Sequence, residues 1–117
     1  MLARTEYQPT DRRSLQPDLL VARRSDVGDD PIRAPLLLAV EVLSPSTRSV
    51  DLLLKHGVYA ESGVASYWVV DPSVPSVRAW RLEDGAYVDV GAVEGGRALE
   101  LHEPFPVRVV PQDLLDL

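Results

Sequence analysis

Glu41 is the residue of this sequence that most demands an explanation. Residues 36–43 read Leu-Leu-Leu-Ala-Val-Glu-Val-Leu, and Glu41 is the single charge among them. Burying an unpaired carboxylate costs several kcal/mol, so Glu41 needs a cation, a hydrogen-bond network or a cleft. A second carboxylate, Asp18, follows Pro17 at the head of another apolar stretch, Leu19-Leu20-Val21, 23 residues before Glu41. Two carboxylates converging from neighbouring strands can hold Mg²⁺ or Mn²⁺, hard ions that prefer oxygen ligands. The third candidate is Lys55, the one lysine beside eleven arginines. A chain biased so strongly toward arginine keeps a lysine where arginine will not serve, because the two differ in pKa flexibility and geometry. Asp51, Lys55 and Tyr59 recur at i, i+4 and i+8, along one side of a helix, where Tyr59 reads first as a core residue.

Other chemistries find less support. Ser44, Ser46 and Thr47 are not accompanied by a G-x-S-x-G elbow, and His56 and His102 lie in unrelated segments, which disfavours both serine hydrolysis and a histidine zinc site. The absence of cysteine excludes thiol nucleophiles, disulfide scaffolds and zinc ribbons. Gly95-Gly96 reads as a hairpin turn, not a phosphate-binding loop. The chain of 117 residues carries 12 basic and 18 acidic side chains, net −6. Residues 1–65 hold eight basic and nine acidic side chains, net −1, and residues 66–117 hold four and nine, net −5. A global basic field for nucleic acid is therefore missing, and any such contact falls to local arginines, Arg12, Arg13, Arg23, Arg24 and Arg48, or to a divalent cation that offsets the carboxylates.

The elements that must position these residues follow from the apolar pattern. A short edge strand is placed at Thr5–Gln8 and strands at Asp18–Ala22, Leu36–Leu43 and Ser66–Asp71, the second apolar enough to be buried on both faces. Pro45 breaks the chain after Leu43, and a helix is expected over residues 51–62, with Asp51 in its first turn and Gly63 just past its end. Beyond Pro72 the pattern becomes hairpins: Val77–Leu82, a turn at Asp84-Gly85, Tyr87–Val90, a turn at Gly95-Gly96, and Ala98–Leu101, with a helical turn at Gln112–Leu115. The fold class is α/β, a mixed central sheet with one main helix and C-terminal β-hairpins, in which the Glu41 and Trp68 strands run parallel through a right-handed crossover. The length fits one domain. No apolar run approaches the roughly 20 residues of a membrane span, and the N-terminus has no secretory pattern, so a cytoplasmic protein without a membrane partner is expected.

The combined string PDLLV, VEVLSPSTRSVD, Lys55 and YAESGVASYWVVDP resembles the Uma-type family within the PD-(D/E)XK, restriction-endonuclease-like superfamily. That family has a PD strand, an EVLSPST segment, a D-x-x-x-K-x-x-x-Y helix and a G-V-x-x-Y-W-x-V-D-P strand. The match runs from about Pro17 to Pro72 and is looser through the hairpins. The resemblance implies a metal-dependent DNA endonuclease with Asp18, Glu41 and Lys55 as catalytic residues. Asp18, Glu41 and the Val42 carbonyl are then the ligands of Mg²⁺ or Mn²⁺. Asp51 and Tyr59 are then supporting residues, Asp51 pairing with Lys55 and Tyr59 reaching the water or a phosphate oxygen, and Arg48 is the expected phosphate contact.

Two departures stand beside the likeness. The superfamily usually carries its lysine two residues after the second acid, where this sequence has Leu43; Lys55 on the helix is the replacement. Uma-type chains also carry a longer segment before the PD strand. A shorter start is expected to expose one face of the Glu41 strand, which leaves a homodimer open. It also keeps a second class in play: an inactive or truncated nuclease-fold protein acting as a binding module.

Overall fold

The computed structural model describes residues 2–3, 7–10, 13–15, 19–23, 36–43 and 50–116. Its elements in chain order are β1 (Leu2–Ala3), β2 (Tyr7–Thr10), β3 (Arg13–Leu15), β4 (Leu19–Val21), β5 (Leu38–Val42), α1 (Val50–Glu61), β6 (Ser66–Asp71), β7 (Ser76–Glu83), β8 (Ala86–Glu94), β9 (Leu99–Leu101) and β10 (Val107–Val109), followed by a 3-10 turn at Pro111–Asp116. Six strands form the main sheet in the order β1-β4-β5-β6-β7-β8, with β9–β10 and β2–β3 as separate pairs. The β5–β6 pair is parallel, and its neighbours on both sides are antiparallel. This is the mixed α/β sheet with one helix and C-terminal hairpins that the sequence pattern predicts.

The continuous apolar run around Glu41 becomes β5 because a strand between two partners has both faces to bury. Leu38, Ala39, Val40 and Glu41 are all buried. Ala39 faces α1 with Leu20, Tyr59 and Tyr67, while Leu38 and Val40 pack with Val21, Trp68 and Val70 on the other side. The expectation of an exposed face on this strand is thus corrected over Leu38–Glu41; exposure begins at Val42.

Helix α1 crosses from the end of β5 to the start of β6, which a parallel pair requires. Its C-terminus closes as a Schellman motif: the Val64 amide donates to the Tyr59 carbonyl at 3.1 Å and the Gly63 amide to Ala60 at 3.1 Å, with Gly63 at φ 77°. The contact that accompanies this motif is the packing of Tyr59 against Val64, both fully buried, so the cap also fixes where Tyr59 sits. Among the described residues, no helix is long and apolar enough to cross a membrane.

The hairpin half differs from its expected outline in two places. Strand β8 runs well past Val90, to Glu94, because Gly91 does not end the strand: it sits at φ 145° beside a register shift between Ala79 and Trp80 and so forms a bulge. Strand β10 is an addition; its three residues lie between prolines and hide their alternation, and they pair with β9 to cover Val77 and Ala79. Asp84 and Gly85, both at positive φ, make the two-residue turn of the β7–β8 hairpin.

Candidate active site

Glu41 lies one residue from the carboxyl end of β5, on the face that α1 covers. It is only 4% exposed. Both of its oxygens are engaged from the helix: Lys55 Nζ donates to Oε2 at 3.0 Å and the Tyr59 hydroxyl donates to Oε1 at 2.6 Å. The four-residue spacing of Lys55 and Tyr59 stacks them on one helical face, one turn apart, so that a single carboxylate accepts from both. A charge-assisted pair of donors is what a buried carboxylate needs to offset its lost hydration. Lys55 keeps 35% of its side chain exposed, so its ammonium bridges the buried acid and the solvent.

Of the residues singled out in the sequence, the fold brings together Glu41, Lys55 and Tyr59. Val42 follows Glu41 at the exposed end of β5. Asp51 lies one turn before Lys55 in α1; its side chain, like all of Asp18 and Arg48, falls outside the described residues. The core reading of Tyr59 is correct and incomplete, since the fully buried ring also carries a hydroxyl aimed at Glu41.

Beside Glu41, past its lateral neighbour Val69, lies a cleft lined by Leu43, His56, Val69, Asp71, Ser76, Arg78 and Trp80. His56, one residue after Lys55, packs edge-on against Trp80 at 5.2 Å and Tyr87 at 5.1 Å, and Trp80 stacks on Tyr67 at 5.4 Å. The imidazole, set aside in the sequence as a zinc ligand or base, is a wall of this cleft. Asp71 ends β6 and turns the chain, its Oδ1 accepting from the Ser73 amide at 3.0 Å and from the Ser73 hydroxyl at 2.7 Å. No local motif marks the cleft, because Arg78 and Trp80 reach it through the register of β6 with β7.

The donor set suits a hard ion. Mg²⁺ is held by one or two carboxylates and completes its shell with water and substrate phosphate oxygens. Glu41 and the Val42 carbonyl are oxygen donors of that type. Among the described residues no three of His, Cys, Asp and Glu gather to hold an ion by themselves.

The model of the Uma2 family, described as putative restriction endonucleases, matches residues 2–114. The chain belongs to the Uma2 family. Among solved structures, this Uma2 chain is similar to a putative nuclease belonging to DUF820 from Anabaena variabilis, with a TM-score of 0.63 at 16% identity. The alignment covers 97% of this chain and 64% of that one, so the Uma2 sequence here spans under two thirds of its structural relative. At that identity the likeness establishes a shared nuclease-like fold. No curated protein matches the chain.

Proposed function

We propose that this Uma2 chain is a metal-dependent endonuclease that hydrolyses phosphodiester bonds of DNA in the cytoplasm. The observation that carries the reading is the buried Glu41 carboxylate at the end of a parallel strand, with the half-exposed Lys55 ammonium 3.0 Å from it. Carboxyl ends of parallel strands are where open α/β sheets place their ligands. Family membership supports DNA as the substrate and hydrolysis as the reaction.

In this reading Glu41, the Val42 carbonyl and Asp18 hold Mg²⁺ or Mn²⁺. When bound, such an ion acts as a Lewis acid toward the phosphate and lowers the pKa of a coordinated water. The chain's own residues do the rest. Tyr59 holds the Glu41 carboxylate in one orientation through its short hydrogen bond. Lys55 presents its remaining N–H donors to the solvent side, where they orient the attacking water and face the charge that develops on the phosphate oxygens. Asp51 is assigned to steady Lys55, and Arg48 to a flanking phosphate.

The test is nicking of a supercoiled plasmid with Mg²⁺ or Mn²⁺, comparing the chain with Glu41→Ala and Lys55→Ala at matched folding. Metal-dependent nicking that falls at least about a hundredfold in both variants is the expected result. Nicking that persists in both variants overturns the assigned residues. A parent chain that neither nicks nor takes up Mn²⁺ in calorimetry replaces the enzyme with the non-catalytic binding module.

A further inference from the structure

The cleft beside Glu41 contains an arginine that the proposed chemistry does not use. Glu41 pairs laterally with Val69 on β6, and Val69 pairs with Arg78 on β7, so the three side chains form one row on the helix-covered face of the sheet. With strands about 4.8 Å apart, the Arg78 backbone stands about 10 Å from that of Glu41. That offset corresponds to about three nucleotides of rise along a B-form strand, at about 3.4 Å each.

Arg78 is held in place. Its Nε donates to Asp89 Oδ2 at 3.1 Å, and NH2 donates to the same oxygen. The other oxygen of Asp89 accepts from the Gly91 amide at 2.9 Å, so the bulge in β8 aims the acid that aims the arginine. The guanidinium carbon lies 5.2 Å from the centre of the Trp80 ring, in the range of a cation–π contact. Trp80 is fixed in turn by Tyr67 and His56.

This arrangement spends one edge of the guanidinium and leaves the other. Both bonds to Asp89 converge on a single carboxylate oxygen, and the NH1 group has no partner among the described residues. The side chain is 56% exposed and borders the cleft that begins at Leu43 and His56. A planar fork with one edge anchored and one edge in solvent is suited to an oxyanion. The acidic group facing the same cleft, Asp71, is engaged by Ser73 at the turn after β6.

We infer that Arg78, anchored by Asp89 over the Trp80 ring, binds a backbone phosphate of the DNA strand that runs along this cleft from the Glu41–Lys55 site. The inference rests on the nuclease reading above and adds a positioning contact to it. Arg78 sets where the strand lies and does not touch the scissile phosphate.

The test is fluorescence anisotropy of a labelled DNA duplex titrated with the chain over a series of KCl concentrations, with Ca²⁺ in place of Mg²⁺. Arg78→Ala is expected to weaken binding about tenfold and to lower the slope of log K against log salt by about one. Arg78→Lys, which keeps a charge and loses the fork, is expected to retain the slope and lose only part of the affinity. Equal melting temperatures show that the variants are folded. If the parent binds the duplex and Arg78→Ala matches it in affinity and slope, the phosphate contact is overturned and the nuclease reading stands. If the parent binds no duplex, both fall together.

Discussion

On the side of the sheet covered by β9 and β10, Val77, Ala79, Leu99, Leu101 and Val109 close on one another without a charged side chain in the cluster. On the side covered by α1, Leu20, Ala39, Tyr59, Val64, Tyr67 and Val69 build a comparable cluster, yet a carboxylate and an ammonium border it. The two sides share strands and differ in what is buried. The first shows that this sheet can be sealed by apolar packing, Trp68 included, without burying a charge, so packing does not account for Glu41. A buried ion pair is weak evidence for stability, because an apolar replacement of similar volume often does as well. The contrast is what the proposed nuclease reading expects of the helix side, where Glu41 and Lys55 stand.

The largest expected effect separates these two roles at Glu41 itself. Glu41→Gln keeps an acceptor for the Tyr59 hydroxyl and removes the charge, so nicking is expected to fall at least about a hundredfold while thermal unfolding shifts by only a few degrees. A large loss of melting temperature with activity retained would reverse the comparison. The next effect belongs to the opposite side. Leu101→Ala opens a cavity beneath the β9–β10 pair and is expected to cost about 2–4 kcal/mol in chemical denaturation, with nicking per folded molecule unchanged. Loss of activity at full folding would show that the two sides are coupled.

The smallest effect concerns Asp89, whose carboxyl is held below its ordinary value first by the Arg78 hydrogen bond, which outweighs the opposing cost of burial, with smaller contributions from the Gly91 amide and the Arg78 charge. A depressed folded-state value means that the contribution is present above the pKa of the unfolded chain and is lost as pH falls through the folded value. For so exposed a pair it amounts to about 0.5 kcal/mol or less. An NMR titration of the Asp89 carboxyl should therefore find it protonating below the usual range near 3.9, and Arg78→Ala should return it toward that value.

Much of the helix side was legible in the sequence. The run from Leu36 to Leu43 announces a buried strand by continuity, and Glu41 stands out because it violates the rule that explains its neighbours. Lys55 and Tyr59 share a helical face by spacing alone, and their common target is the one charge in that run. Strand β6 matches its expected bounds because Pro72 ends it. The hairpin side was less legible. Strand β10 has three residues, too few to show a period, and Gly91 reads as an interruption until the partner strand shows it to be a bulge. The Arg78–Asp89 pair depends on that bulge, which shifts the register so that Asp89 comes opposite Trp80. Local sequence carries no record of such a shift.

The two hydrogen bonds to Glu41 have a further consequence for how α1 lies. An apolar seam is forgiving along its length: a helix resting on leucines and valines trades one set of contacts for a similar set when it slides. Displacing α1 by one turn, about 5.4 Å, would instead carry Lys55 and Tyr59 past their acceptor and strand a carboxylate in the interior. The Schellman cap at Gly63, which seats Tyr59 against Val64, sets the same position from the far end. Glu41 thus works as an index mark, allowing the helix one axial setting on a surface that would otherwise accept several.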